Sequence, residues 1–115
     1  MSILASDVIT YGARKLWGTA LSAEKTDDVS SLKWLSQALR SLYSARPDAA
    51  IDDDGNYYPY VAVTAIGQSI PVSEKFLPYF IDYVTARGFQ EDGENPAHQK
   101  RAGDHFELAK AWLNI

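Results

Sequence analysis

Apolar residues recur along this chain at spacings of three and four in four separate stretches, and that period predicts four helices. Val8, Ile9, Ala13, Leu16, Trp17 and Ala20 form one stripe of a helix over about 7–21, with Ser6 or Asp7 as its cap. Leu32, Leu35, Leu39 and Leu42, widened by Trp34, Ala38 and Ala45, define a second helix over about 31–45, capped by Ser30 or Ser31. Pro47 stops it, because proline lacks an N–H and restricts Arg46 before it. Phe76, Leu77, Phe80, Ile81, Val84 and Gly88 point inward from a third helix over about 74–92, with Ser73 as cap and Glu74 suited to the positive end of the helix dipole. In the fourth, over about 96–113, Asn95 is the cap and Pro96 takes the first helical position. Its stripe is Ala102, Phe106, Ala109 and Leu113, with Trp112 beside it.

Between the second and third stripes the pattern changes. Asp52 to Asn56 is a turn, Tyr58 to Ile66 is rich in aromatic and β-branched residues, and Ser69 to Val72 is short and strand-like. A β-hairpin over about 57–72 accounts for this, with Gly67-Gln68 turning the chain and Pro59 confined to an edge or a strand start. Two strands alone are marginal, so the hairpin must lean on the helices or on another subunit. The expected fold is therefore mainly α: one domain over 1–115, a four-helix bundle-like frame with a small inserted β-hairpin. Leu35, Leu39, Phe80, Val84 and Phe106 are its expected core. Gly88 and Gly103 are expected to let the third and fourth helices approach closely.

With 115 residues, such a domain buries roughly 65% of the surface of its extended chain, enough for a modest core but not for a deep enclosed active site. Three Trp, seven Tyr and four Phe exceed what that core needs, and Tyr and Trp are enriched at interfaces. Tyr57, Tyr58 and Tyr60 in the hairpin, and Trp112, Leu113 and Ile115 at the end, are the candidate interface residues. A net charge of −4 and a pI near 5.0 argue against a protein that holds nucleic acid by neutralising many phosphates. The absence of cysteine removes disulfides, thiol chemistry and thiolate metal sites, and suits a reducing cytoplasm. The opening residues lack a signal peptide's basic segment and apolar run, and no apolar stretch approaches the ~18 residues of a membrane span.

Each candidate for chemistry has a simpler reading. Asp52, Asp54 and Asn56 mimic the first ligands of a calcium loop, yet Tyr57 stands where that loop needs Gly and Val63 where it needs Glu, so a solvated turn is expected. His98 and His105 lie two turns apart beside Asp104, without a His-Glu-x-x-His arrangement, and are expected to be ordinary surface or half-buried histidines. Asp82 and Arg87 are too far round one helix to pair, and each is expected to reach another helix or subunit. No nucleophile accompanies Asp82, Glu91 and Asp92, and no glycine-rich phosphate loop exists. No catalytic residues, cofactor or metal are expected, and the chain is read as a scaffold rather than an enzyme.

Five stretches carry a resemblance. Val8-Ile9 through Ala13-Arg14-Lys15-Leu16 resembles the opening helix of the head-to-tail adaptor (connector, or neck) proteins of short-tailed and related bacteriophages. Trp34-Leu35-Ser36-Gln37-Ala38-Leu39-Arg40 resembles their W-L-N-x-A-Q-R helix, with Ser36 in place of Asn and the Gln displaced. Arg46-Pro47-Asp48-Ala49 matches the R-P-D-A that follows. Gly67-Gln68-x-Ile70-Pro71 resembles a G-x-x-Q-x-L-P turn and strand with shortened spacing. Asp82-Tyr83-x-x-x-Arg87-Gly88-x-x-x-Asp92 resembles D-Y-x-x-x-R-A-x-x-K-D, with Gly88 for Ala and Glu91 for Lys. They cover most of the chain in order.

The resemblance implies a virion protein of the neck, a ring of about a dozen identical copies seated beneath the portal protein and joined to the next neck, tail-tube or nozzle component. Genome DNA would pass through its channel without sequence-specific contact, and no membrane is involved. It also points to the segment from Ala109 to Ile115 as one that reaches a partner. The alternatives are another phage tail-completion or baseplate assembly protein and, less well supported, a small DNA-binding regulator. For the last, Lys33, Gln37 and Arg40 supply too few base-reading groups.

Overall fold

The computed structural model describes residues 3–52 and 54–113. It is mainly helical with a small two-stranded antiparallel sheet, as the hydrophobic pattern predicts. Strand β1 (Ile3–Leu4) leads directly into helix α1, over 5–17, followed by α2 (Asp28–Ala45), β2 (Ser69–Ile70), α3 (Leu77–Gln90) and α4 (Pro96–Leu113). Short 3-10 turns at Pro47–Ala50 and Glu74–Phe76 follow α2 and precede α3. The molecule measures 45 × 29 × 18 Å.

Helix α1 is not uniform. Regular turns at Ala5–Val8 and Arg14–Trp17 flank a wider π turn at Ile9–Ala13. A π turn accommodates more residues than an α turn, so it shifts the phase of everything after it. Trp17 consequently faces the core and Leu16, expected in the same stripe, is exposed. The π turn also brings Gly12 against α3, where a Cβ would meet Ile81 Cγ1 at 2.6 Å. The helix ends at Trp17 rather than near residue 21, because Gly18 reverses the chain at φ +59°.

Helix α2 starts earlier than expected and its cap is Asp27, whose carboxylate accepts from Ser30 N at 3.0 Å. Those hydrogen bonds to Ser30 hold the Asp27 carboxyl below its ordinary pKa. Ser30 is thus the donor in the cap, and Ser31 is buried. For α3, Ser73 Oγ accepts from Lys75 N at 3.4 Å, and the 3-10 turn delays the helix to Leu77. Helix α4 has the expected bounds, with Asn95 Oδ1 accepting from Ala97 N at 3.0 Å and Pro96 at its first position.

Helix α3 is the hub: α4 folds back along one side of it, and α1 and α2 pack on the others. Leu35, Leu39, Phe80 and Val84 are buried as expected. Phe106 is half-buried instead, edge-on to Tyr83 at 5.9 Å, because α4 covers only one side of α3 and its fully buried apolar positions are the alanines Ala102 and Ala109. Tyr79 lies fully buried and its hydroxyl donates to Ala38 O at 2.6 Å; burial pushes its pKa up. Gly88 does not serve the contact between α3 and α4. It receives the Trp17 ring from α1, whose Nε1 donates to Thr85 O at 3.2 Å. Gly103 has nothing within 4 Å of its Cβ direction, so it serves no close approach.

The antiparallel sheet is present, but its strands come from different places than expected. Ser69–Ile70 pairs with Ile3–Leu4, putting Ile3 opposite Ile70 with both buried, and Ala5 N continues the ladder to Gln68 O at 2.9 Å. Residues 57–66 form no strand ladder with 69–72. Pro59 has no N–H to give, and side chains satisfy much of the neighbouring backbone. Ser36 Oγ, on α2, accepts from Val63 N at 2.8 Å and lies 3.2 Å from Val63 O. Gln68 accepts from Thr64 N at 2.9 Å and donates to Ala62 O at 3.0 Å. Tyr60 OH donates to Ser36 O at 3.4 Å under the Arg40 guanidinium.

Candidate interaction surfaces

The first surface is built from the two turns that follow α2. Asp52 organises it: its carboxylate accepts from Asp54 N (3.0 Å), Asn56 N (2.8 Å), Asn56 Nδ2 (3.2 Å) and Tyr58 OH (3.0 Å). These bonds, the Asn56 backbone first among them, hold Asp52 below its ordinary pKa, and the same contact raises that of Tyr58. The acidic turn thus spends its carboxylate on its own geometry. Asp52 N also donates to Asn56 O, and Ile51 faces Tyr57 across an antiparallel bridge.

That bridge sets two large apolar side chains side by side in water, with Ile51 50% and Tyr57 66% exposed. Val61, further along the same segment, is exposed as well. Beside them runs a groove of about 500 Å³, walled by Asp48, Ile51, Asp52, Val72, Glu74 and Phe76 among others. Its rim carries three carboxylates, Asp48, Asp52 and Glu74, against one ammonium, Lys75, which lies over the Phe76 ring at 5.1 Å.

Of the expected interface residues that are described, Tyr57 alone is largely exposed. Tyr58 and Tyr60 are half-buried and hydrogen-bonded within the chain. Trp112 is also engaged internally, edge-on to Phe76 at 6.0 Å, and its carbonyl accepts from Arg46 Nη1 at 3.4 Å. Leu113 packs partly against the core, and Ile115 lies outside the described residues. Arg46 therefore joins three elements, since it also sits over Phe76 (5.2 Å) and reaches Asp48 Oδ2 (3.5 Å). The Arg-Pro-Asp-Ala stretch is a structural junction between α2, the end of α4 and the groove.

The second polar cluster lies along the seam between α3 and α4. His98 Nδ1 is 2.8 Å from Asp92 Oδ2, and His105 Nδ1 is 2.9 Å from Asp82 Oδ1. Lys25 Nζ approaches Asp92 Oδ1 at 3.1 Å, and Lys25 followed by His98 holds the Asp92 carboxyl below its ordinary pKa. Both imidazoles flank Phe89, at 5.2 and 6.3 Å between ring centroids. Asp82 reaches another helix as expected; Arg87 is half-buried with its Nε unbonded.

Neither histidine had been paired with a carboxylate from sequence. The signal was there for one of them: in an antiparallel helical hairpin, residues equidistant from the turn face each other, and Asp82 and His105 obey that register, whereas Asp92 lies in the turn itself and meets His98 locally. Among the described residues no hydroxyl joins either pair, and Asp104 takes no part. Among the described residues no three potential metal ligands converge. The cluster's chemistry is to fasten α4 to α3.

No family model matches the chain, and neither a curated protein nor a solved structure gives a match. Among the described residues no helix is long and apolar enough to cross a membrane.

Proposed function

We propose that this chain is a structural adaptor of a phage neck, one of about a dozen identical copies in a ring that joins the portal to the tail and surrounds the genome's exit channel. The carrying observation is the wet apolar pair Ile51 and Tyr57, beside an acidic groove, on a segment fastened to the helical frame. Side-chain bonds from Ser36, Asp52 and Gln68 order that segment in the isolated chain, so little ordering entropy remains to oppose association there. The motif stretches that resemble the adaptor family also fall at structurally coherent places: Trp34, Leu35, Ala38 and Leu39 are core, and Arg46 is the junction. The histidine–carboxylate pairs serve packing in this reading, and catalysis is not part of it.

The test is co-expression with the portal protein from the same source. The chain should copurify with the portal ring, and Ile51→Ser or Tyr57→Ser should abolish that without changing the circular dichroism. Normal joining to the portal by both variants would remove these residues from the interface, and failure of the unaltered chain to copurify would remove the adaptor reading.

A further inference from the structure

We infer that the acidic groove beside Ile51 docks the Tyr11–Lys15–Leu16 face of α1 from a second copy of this chain. The inference rests on the ring reading for its head-to-tail geometry: a heterologous contact needs two different, complementary patches on one molecule. The exposed large apolar residues supply two such patches of opposite charge. One is Ile51 and Tyr57 at the groove, whose wall carries Glu74. The other is on α1, where Tyr11 is 63% and Leu16 49% exposed, with Lys15 beside them.

The charges at the two patches are available. Among the described residues, neither the Lys15 ammonium nor the Glu74 carboxylate forms an ion pair or hydrogen bond within the chain. Nearby charges that are already matched make the contrast: Arg14 is paired with Asp28, Asp48 with Arg46, and Asp52 is held by its own turn. The π turn matters too, because its phase shift turns Leu16 out of the core and leaves it next to Lys15 in water. Docking would place Lys15 against Glu74 while covering apolar surface on both copies. Charge complementarity of this kind sets orientation and suppresses the wrong self-pairing of like patches.

The chain has no cysteine, so disulfide trapping reads the contact without background. Lys15→Cys and Glu74→Cys are made in separate chains carrying different mass tags, mixed, and oxidised mildly with and without portal. Both sites are exposed, and unfolding curves check that each variant folds. The mixed disulfide should exceed either same-variant product by about tenfold, because a head-to-tail contact brings position 15 against position 74 and never against itself, with the apolar residues of both patches left in place. Separately, in chains without the cysteines, Lys15→Glu should weaken association in low salt, and adding Glu74→Lys to the same chain should restore it. Same-variant products that equal or exceed the mixed one, or no mixed product in either condition, would overturn the docking. The two proposals part cleanly. A mixed disulfide without portal copurification leaves the docking and removes the adaptor reading; copurification without a mixed disulfide does the reverse.

Discussion

Alanine at Gly88 and alanine at Gly103 should move stability in opposite directions, although both glycines lie inside helices. Replacing an interior helix glycine by alanine gains about 0.5–1 kcal/mol from backbone entropy and propensity. At Gly103 nothing lies within 4 Å of the new methyl, so that gain should appear undiminished. At Gly88 the methyl would lie 2.4 Å from Trp17 Cε2 and 2.5 Å from its Cζ2 and Nε1. The indole cannot simply retreat: it is only 3% exposed and stands edge-on against Trp34 at 6.3 Å. Overpacking of this kind costs about 1–3 kcal/mol. Displacing the ring also threatens the Nε1 bond to Thr85 O, with a penalty of about 1–3 kcal/mol for the buried donor left unpaired. After the propensity gain, Gly88→Ala should destabilise by about 1–4 kcal/mol. With a urea slope of about 1–3 kcal/mol per molar, the midpoint should fall on the order of 1 M, while that of Gly103→Ala rises slightly. Tryptophan fluorescence and circular dichroism should report the same transition. A Gly88→Ala midpoint that rises alongside that of Gly103→Ala would refute the packing of Trp17 over α3.

Other outcomes follow from the same contacts. Phe80→Ala removes a fully buried ring at the centre of the core and should cost about 3–5 kcal/mol in urea unfolding. Ser36→Ala leaves Val63 N–H without its acceptor and should cost about 1–3 kcal/mol, with faster amide exchange confined to residues 60–66. Asp92 has a folded pKa below its ordinary value, so its contribution is present above that value and is lost as pH falls through the folded pKa. Asp92→Asn should therefore flatten the acid limb of stability below about pH 4 and change little of its shape near neutrality.

The helical frame was legible because its signals are local. Asn95-Pro96 marks the start of α4 to the residue, and the Leu32-to-Leu42 stripe places α2. What escaped depends on contacts distant in sequence or on backbone phase. The π turn in α1 has no local signature, so the apolar spacing points Leu16 inward and gives no sign that Gly88 receives Trp17 of α1. The middle segment has strand-like composition, yet Ser36 on α2 and the side chain of Gln68 take its backbone groups, while Ser69–Ile70 pairs with the chain's first described residues. Trp112 was expected at an interface because it lies near the end of the sequence, but the fold turns it onto Phe76. Tyr57 kept its expected exposure because the Asp52 turn holds it opposite Ile51 at the surface.

The most direct test of the proposed ring is native mass spectrometry of this chain co-expressed with the portal protein from the same source. The account predicts a complex with about a dozen copies of the chain on one portal ring, a closed head-to-tail arrangement. The same ring should lose the chain when Tyr57 is replaced by Ser. A portal ring that carries no copies, with the chain remaining as a monomer or a two-fold dimer, would contradict it.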